Sequence, residues 1–436
     1  MHALVAALVL AVAPPGEGFP WKFTTSKLPN GFTVTRVPMP SSGLVAYYTV
    51  VRVGARNEIE PGKTGFAHFF EHVMFKGTAK WPGSARGEAL AKLGFSENAT
   101  TTDDVTVYHA VGPSSALQTL VELEADRFQR LEYTEQTFAT ESKAVLGEYH
   151  TNAANPGLEL EEVLRTTAFT TPSYRHTALG FYEDIQKMPE GYAYSKEFFQ
   201  RWYTPDNSML FVAGEFDDAK LMAWVTEAYG GWKGKAAQLA SKPEPEQTAP
   251  KEAKVEWPHQ TLPRHAQYFK VPPSTVEDGA VMTVLAAYLA GETSPLYKQL
   301  VLEQQRAQTV YIDYGGHRDP FLFGLVAVLK DEKHRAEVDA AFTAAIAEVA
   351  AGKVDAKRVE QIEQRSRYST PMGLETPSQV ASTLAFTAGG TGLPDGFDRQ
   401  LRLIAKVKPA QLVAFAKKHL TAAHRTTLQL VAKEAK

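Results

Sequence analysis

The stretch KPEPEQTAPKEAKVEWP, Lys242–Pro258, divides this chain of 436 residues. Its Pro, Glu and Lys outnumber its apolar residues, the composition of a linker rather than of a core element. Upstream of it, residues 23–53 alternate like strands, with GFTVTRVPMP and GLVAYYTVVRVGAR rich in β-branched and aromatic side chains. A helix is then expected from about Lys63–Gly65, and a strand in ATTTDDVTVYHAV. A helix follows in SSALQTLVELEADRFQRL, with Ser114 or Ser115 as N-cap, and a second long one from about Glu135 to His150. SMLFVAGEFD reads as a short buried strand leading into the helix DAKLMAWVTEAYGGW. Downstream the order begins again. RHAQYFKV is a strand, DGAVMTVLAAYLAG and SPLYKQLVLEQQ are helical, TVYIDYGG and LFGLVAVLK are strands, and two long helices follow. The fold class expected is α+β: two similar halves, 20–241 and 261–436, joined by a linker at 242–260. Each half is expected to be a mostly antiparallel sheet with helices packed on one face.

The length exceeds what one ordinary core can bury, which agrees with two or more domains. The composition is 44% hydrophobic and 22% charged, and 46 basic residues stand against 49 acidic ones, a net charge of -3. No basic field for nucleic acid follows from that balance. The absence of cysteine excludes thiol catalysis, disulfides and Cys-ligated zinc, so any metal must be held by His, Asp or Glu. The chain opens MHALVAALVLAVAPPGEG, an apolar run from Ala3 to Ala13 with small residues at Ala11 and Ala13. This reads as a signal peptide at 1–13, although its first residues lack Lys or Arg. Export, periplasmic in a bacterium, is the expectation, with no stable membrane anchor after cleavage.

Chemistry concentrates in GFAHFFEHVMFKGT, Gly65–Thr78. His68 and His72 are four residues apart, so a helix stacks both on one face, and Glu71 leans toward the same side. Two neutral imidazoles so placed make half of a zinc site, and a carboxylate beside them can take a proton from water. A third ligand is required for the pattern to mean more than a helix with two histidines. TESKAVLGEYH offers Glu141 and Glu148, seven residues apart and therefore on one helical face, and either could approach the pair. The second half contains no counterpart of the two-histidine segment.

HFFEHVMFKGT, ENATTTDDVTVYHA and ESKAVLGEYH together resemble the successive signatures of the insulinase–pitrilysin metallopeptidase family. The half-length branch is the most similar, the one that includes the mitochondrial processing peptidase beta subunit and bacterial relatives. The likeness extends through YRHTALGFYEDI, NSMLFVAGEFD and SPLYKQLVLEQQ, nearly the whole mature chain. It implies that His68, His72 and Glu148 bind one Zn2+ per chain, leaving a fourth position for water. It makes Glu71 the general base and Glu141 a supporting carboxylate of the catalytic site. It also implies an edge strand in ENATTTDDVTVYHA that receives a short or unfolded peptide as an added β-strand, with Asn98 and Ala99 in contact with it. Thr106, Val107 and Tyr108, like Phe69, Phe70, Val73 and Phe75, are expected in ordinary packing. One element departs from the family. An Arg and a Tyr seven residues apart should follow SPLYKQL, but Val301 and Gln308 stand there, with Arg306, Tyr311 and Tyr314 nearby and out of register. The expectation is a metal-free paralogous subunit that supplies the pair in a heterodimer, a homodimer being the alternative. A non-catalytic structural or peptide-binding subunit of the same fold is the competing function.

Overall fold

A computed structural model describes residues 18–238 and 242–432. The expected leader at 1–13 lies outside these residues. The first sheet contains β1 (Thr24–Lys27), β2 (Thr33–Pro38), β3 (Leu44–Val51), β4 (Ser96–Thr101), β5 (Thr106–Pro113) and β6 (Ser208–Gly214). Their spatial order is β1-β2-β6-β3-β5-β4, with β2 and β6 parallel and every other pair antiparallel. The second sheet, β7 (Lys251–Trp257), β8 (Arg264–Val271), β9 (Ala307–Tyr314), β10 (Phe321–Leu329) and β11 (Arg425–Ala432), is ordered β7-β11-β8-β10-β9. There β7 and β11 are the parallel pair and the rest are antiparallel. Apart from the extra β1, the two sheets have the same topology. The expected pair of α+β halves is therefore the fold.

Alternation along the strands shows why the central ones read as continuous apolar runs. In β3, Val45, Tyr47 and Val51 enter one core, where Phe66, Phe69 and Phe70 lie, while Ala46, Tyr48 and Val50 enter a second core on the opposite face. A strand buried on both faces has no polar side to display. Helices cover the first face of each sheet, as expected, and one further helix covers the other. On the first sheet this is Pro377–Thr391, which places Val380, Leu384 and Ala388 in the core of Tyr48 and Val50. On the second sheet it is Pro156–Ala168, with Leu160 and Leu164 against Val255, Tyr268 and Leu430. The two compact units are accordingly discontinuous. The first takes the chain to His150, resumes at His176 and adds Pro371–Phe397; the second takes Thr151–Arg175, Lys242–Thr370 and Asp398 onward.

Three local expectations are corrected. The strand expected in ATTTDDVTVYHAV is a hairpin: the Thr102 amide donates to the Val105 carbonyl at 2.8 Å, and the Thr102 hydroxyl accepts from the Asp104 and Val105 amides. Thr and Asp are turn formers as well as strand residues, and the fold uses them as a turn. Ser114 and Ser115 do not cap a helix; they form a 3-10 turn ahead of Leu117–Arg130. The stretch read as a linker carries β7, whose Ala253, Val255 and Trp257 are buried while Glu252, Lys254 and Glu256 are exposed. As an edge strand it needs only one apolar face, and the charged face masks the signal.

Candidate metal centre

The helix Phe66–Val73 begins at Gly65, whose φ of 86° lies in the left-handed region. A Cβ there would meet Ile185 Cδ1 and the Leu179 carbonyl, so the position requires glycine. Glu58, which the sequence reading did not single out, caps this helix. Its carboxylate accepts the Gly65 amide at 2.7 Å and the Ala67 amide at 2.6 Å, and burial pushes its pKa up to about 8. Phe66, Phe69, Phe70 and Val73 anchor the apolar face, which leaves His68, Glu71 and His72 on the other. The facing helix is Glu135–Ala153, tied into the same core by Phe138 and Val145.

Between these helices three donor atoms converge. His68 Nε2 is 3.4 Å from His72 Nε2 and 3.5 Å from Glu148 Oε2, and His72 Nε2 is 3.3 Å from that same oxygen. The two rings stand at 90° to each other. A tetrahedral zinc with bonds of about 2.0–2.1 Å spaces its ligand atoms about 3.3–3.4 Å apart, so the donor set fits that ion. Among the described residues these three are the one such group of His, Asp and Glu. His68 is buried, and burial, with His72 as the lesser cause, pulls its pKa down to about 3. The ring is thus neutral, the form that ligates a metal.

Glu71 stands half-buried one residue before His72. Burial raises its pKa; Thr101 and His72 oppose the rise and Glu148 adds to it. Glu141 is buried, with Oε2 4.0 Å from His72 Nδ1 and Oε1 2.8 Å from Lys76 Nζ. Glu141 thus stands behind His72, longer than a hydrogen bond, and Lys76 neutralises it. The outer nitrogen of His68, Nδ1, is buried without a hydrogen-bond partner among the described residues. Lys76, in the turn beyond the helix, and Glu58 and Thr101 had no sequence signal.

Asn98 and Ala99 lie on β4, which pairs with β5 on one side and, among the described residues, has a free edge on the other. Asn98 is exposed, and its Oδ1 accepts the Ala99 amide at 2.9 Å. Ala99 is buried in the first core, so only its backbone is available to a ligand. Val301 is partly buried against the core of the second sheet, with Leu285 and Phe323, and Gln308 is exposed on β9. Arg306 is committed to Glu337 at 2.8 Å and to His334 Nδ1 at 3.0 Å. The Tyr314 hydroxyl donates to Thr283 at 3.1 Å, while Tyr311 is exposed.

Residues 40–180 match the model of the insulinase family, peptidase family M16, and residues 192–365 that of the peptidase M16 inactive domain. The zinc protease PqqE of Helicobacter pylori is 24% identical over 432 residues, covering 98% of this chain and 96% of that protein. A crystal structure of a protease from Helicobacter pylori superposes with a TM-score of 0.87 at 24% identity, covering 95% of this chain and all of the other. The periplasmic protease PqqL from Escherichia coli superposes at 0.78 and 18% identity over 95% of this chain, which spans only 48% of PqqL.

Proposed function

Because this chain belongs to the insulinase family of peptidases, M16, we propose that it is a zinc metallopeptidase that hydrolyses short or unfolded peptides. The observation that carries this reading is the triangle of His68, His72 and Glu148, with sides of 3.3 to 3.5 Å. These residues would hold one zinc ion, whose chemistry is to acidify a water and polarise the carbonyl of the scissile bond. Glu71 accepts the proton of the attacking water and then delivers it to the leaving amine. Glu141 stands behind His72 and supports that ring's orientation. The free edge of β4 receives the peptide as an added strand through main-chain hydrogen bonds, so that sequence demand is low, and Asn98 and Ala99 flank it.

A second subunit belongs to the same proposal. Val301 carries no polar group and Gln308 only a neutral amide where the Arg and Tyr would stand, and Arg306 is engaged elsewhere. A paralogue without metal would supply the Arg and Tyr in a heterodimer. In support, this chain spans half of PqqL, a chain long enough for two such pairs of units. The periplasm is the proposed compartment, on the resemblance to that protease and the apolar N-terminus; among the described residues no helix is long and apolar enough to cross a membrane.

The test is to express the chain, measure bound zinc, and follow cleavage of a quenched fluorescent peptide library beside Glu71→Gln. Zinc at one per chain, with cleavage that appears on adding the paralogue and vanishes in Glu71→Gln, is the expected result. Cleavage by the chain alone would remove the partner. Loaded zinc without turnover under any pairing would favour a peptide-binding subunit. Absence of zinc would overturn the reading.

A further inference from the structure

A buried ionic network lies outside the metal centre. Arg86, on the helix Ala85–Lys92, is fully buried; it donates to Glu97 Oε2 at 2.7 Å and also to Glu124. Glu124, on Leu117–Arg130, accepts from Arg127 Nη2 at 2.7 Å. Burial alone would push Glu124 up, but Arg127 and Arg86 hold it below its ordinary value. The guanidinium of Arg127 in turn lies 5.0 Å from the Phe75 ring and 5.1 Å from the Tyr108 ring. The Tyr108 hydroxyl donates to the Phe70 carbonyl at 3.0 Å, within the helix that carries both histidines.

Glu97 is the member of this chain that belongs to β4. Along that strand Glu97, Ala99 and Thr101 turn inward and Ser96, Asn98 and Thr100 are exposed. The inward set meets Arg86, the apolar core and Glu71 in succession. An edge strand is held through its backbone on one side only, so its inward side chains decide where the free edge stands. Two charge pairs taken out of water are a poor way to gain stability, since packed apolar residues of the same volume do as well or better. What such a network fixes is geometry.

Resting on the reading of β4 as the strand that receives substrate, we infer that Arg86 and Glu97 are positioning residues. They fasten the peptide-binding edge in register with Glu71 and the metal-binding helix. Glu97→Gln keeps the shape and removes one of the two charges that hold Arg86, the one that belongs to β4. On the Glu71→Gln background, which binds without cleaving, the full-length zinc-loaded protein is titrated with a fluorescent unstructured peptide. Misplacing the edge by a fraction of an ångström to an ångström should weaken binding about tenfold or more, with zinc content unchanged. In the cleaving protein KM rises by the same factor. Should Glu97→Gln fail to fold, Arg86→Lys, which keeps the charge and loses the fork, is read the same way. A merely structural pair would lower the thermal midpoint and leave the affinity of the folded protein alone, and that result would overturn the inference. Loss of zinc in Glu97→Gln would overturn it too. If Glu71→Gln with the network intact holds zinc but binds no peptide, it is the role of β4 itself that fails.

Discussion

At His68 the fold holds a titratable group neutral at a cost. Its pKa is pulled from an ordinary 6.5 down to about 3, chiefly by burial. The unfolded chain therefore binds a proton below pH 6.5 that the folded chain refuses, so this contribution to stability is complete above pH 6.5 and lost as pH falls toward 3. The share of His68 in the stability of the metal-free protein should fall on acidification through that window by up to roughly 1.4 kcal/mol per pH unit, against the opposite trend of Glu58 above pH 4.5. Relative to the parent chain, His68→Phe should gain stability as pH falls in denaturant titrations. Behind His72 the expectation concerns affinity. Glu141→Gln should weaken zinc binding about tenfold in a chelator competition, the usual effect of losing an outer carboxylate. Lys76→Met should act in the opposite direction and less, because it removes the cation that neutralises Glu141 and Lys76 is itself part-exposed. The two histidines and the two glutamates were legible because each pair is local, at spacings of four and seven residues on a helical face. The choice of Glu148 over Glu141 rested on the resemblance; the fold brings His68, His72 and Glu148 together. Glu58, Thr101 and Arg86 were not legible, because only tertiary packing brings them to the start of the metal-binding helix, to Glu71 and to β4 respectively.

Element boundaries show a similar division. RHAQYFKV matches β8, Arg264–Val271, a strand buried on both faces although half of its residues are polar. β7 and the β4–β5 hairpin were hidden, the one by its charged outer face, the other because its turn, Thr102 to Val105, is made of residues that also suit strands. Pro377–Thr391 begins with a capping box. The Thr376 hydroxyl accepts the Gln379 amide at 3.3 Å, and Gln379 Oε1 accepts the Thr376 amide at 3.0 Å. Thr376→Ala should cost about 1 kcal/mol, read as a shifted denaturation midpoint with unchanged slope. Zinc affinity should not move, since the helix covers the face of the sheet opposite the metal-binding helix.

For the whole molecule the repeated topology has a chemical asymmetry. The helix in the second half that corresponds to Phe66–Val73 is Val276–Ala290, VEDGAVMTVLAAYLA, which carries no histidine and is packed as core. One sheet carries the candidate metal centre and, among the described residues, its copy carries none. Since the proposed receiving edge is a strand lacking a neighbour, substrates already paired within their own sheets should resist it. A reduced, unfolded protein should be cut and its native form spared, measured as fragment appearance on a gel; equal rates would contradict recognition by strand addition. The helix Pro377–Thr391 also sets a timetable. Synthesis delivers His68, His72 and Glu148 early, yet the apolar far face of their own sheet, with Tyr48, Val50 and Phe211, stays bare until residues beyond 377 have left the ribosome. A nonsense codon late in the message, far from any residue of the metal centre, would therefore yield a truncated product with an exposed apolar face, a client for chaperones and proteases rather than a smaller peptidase.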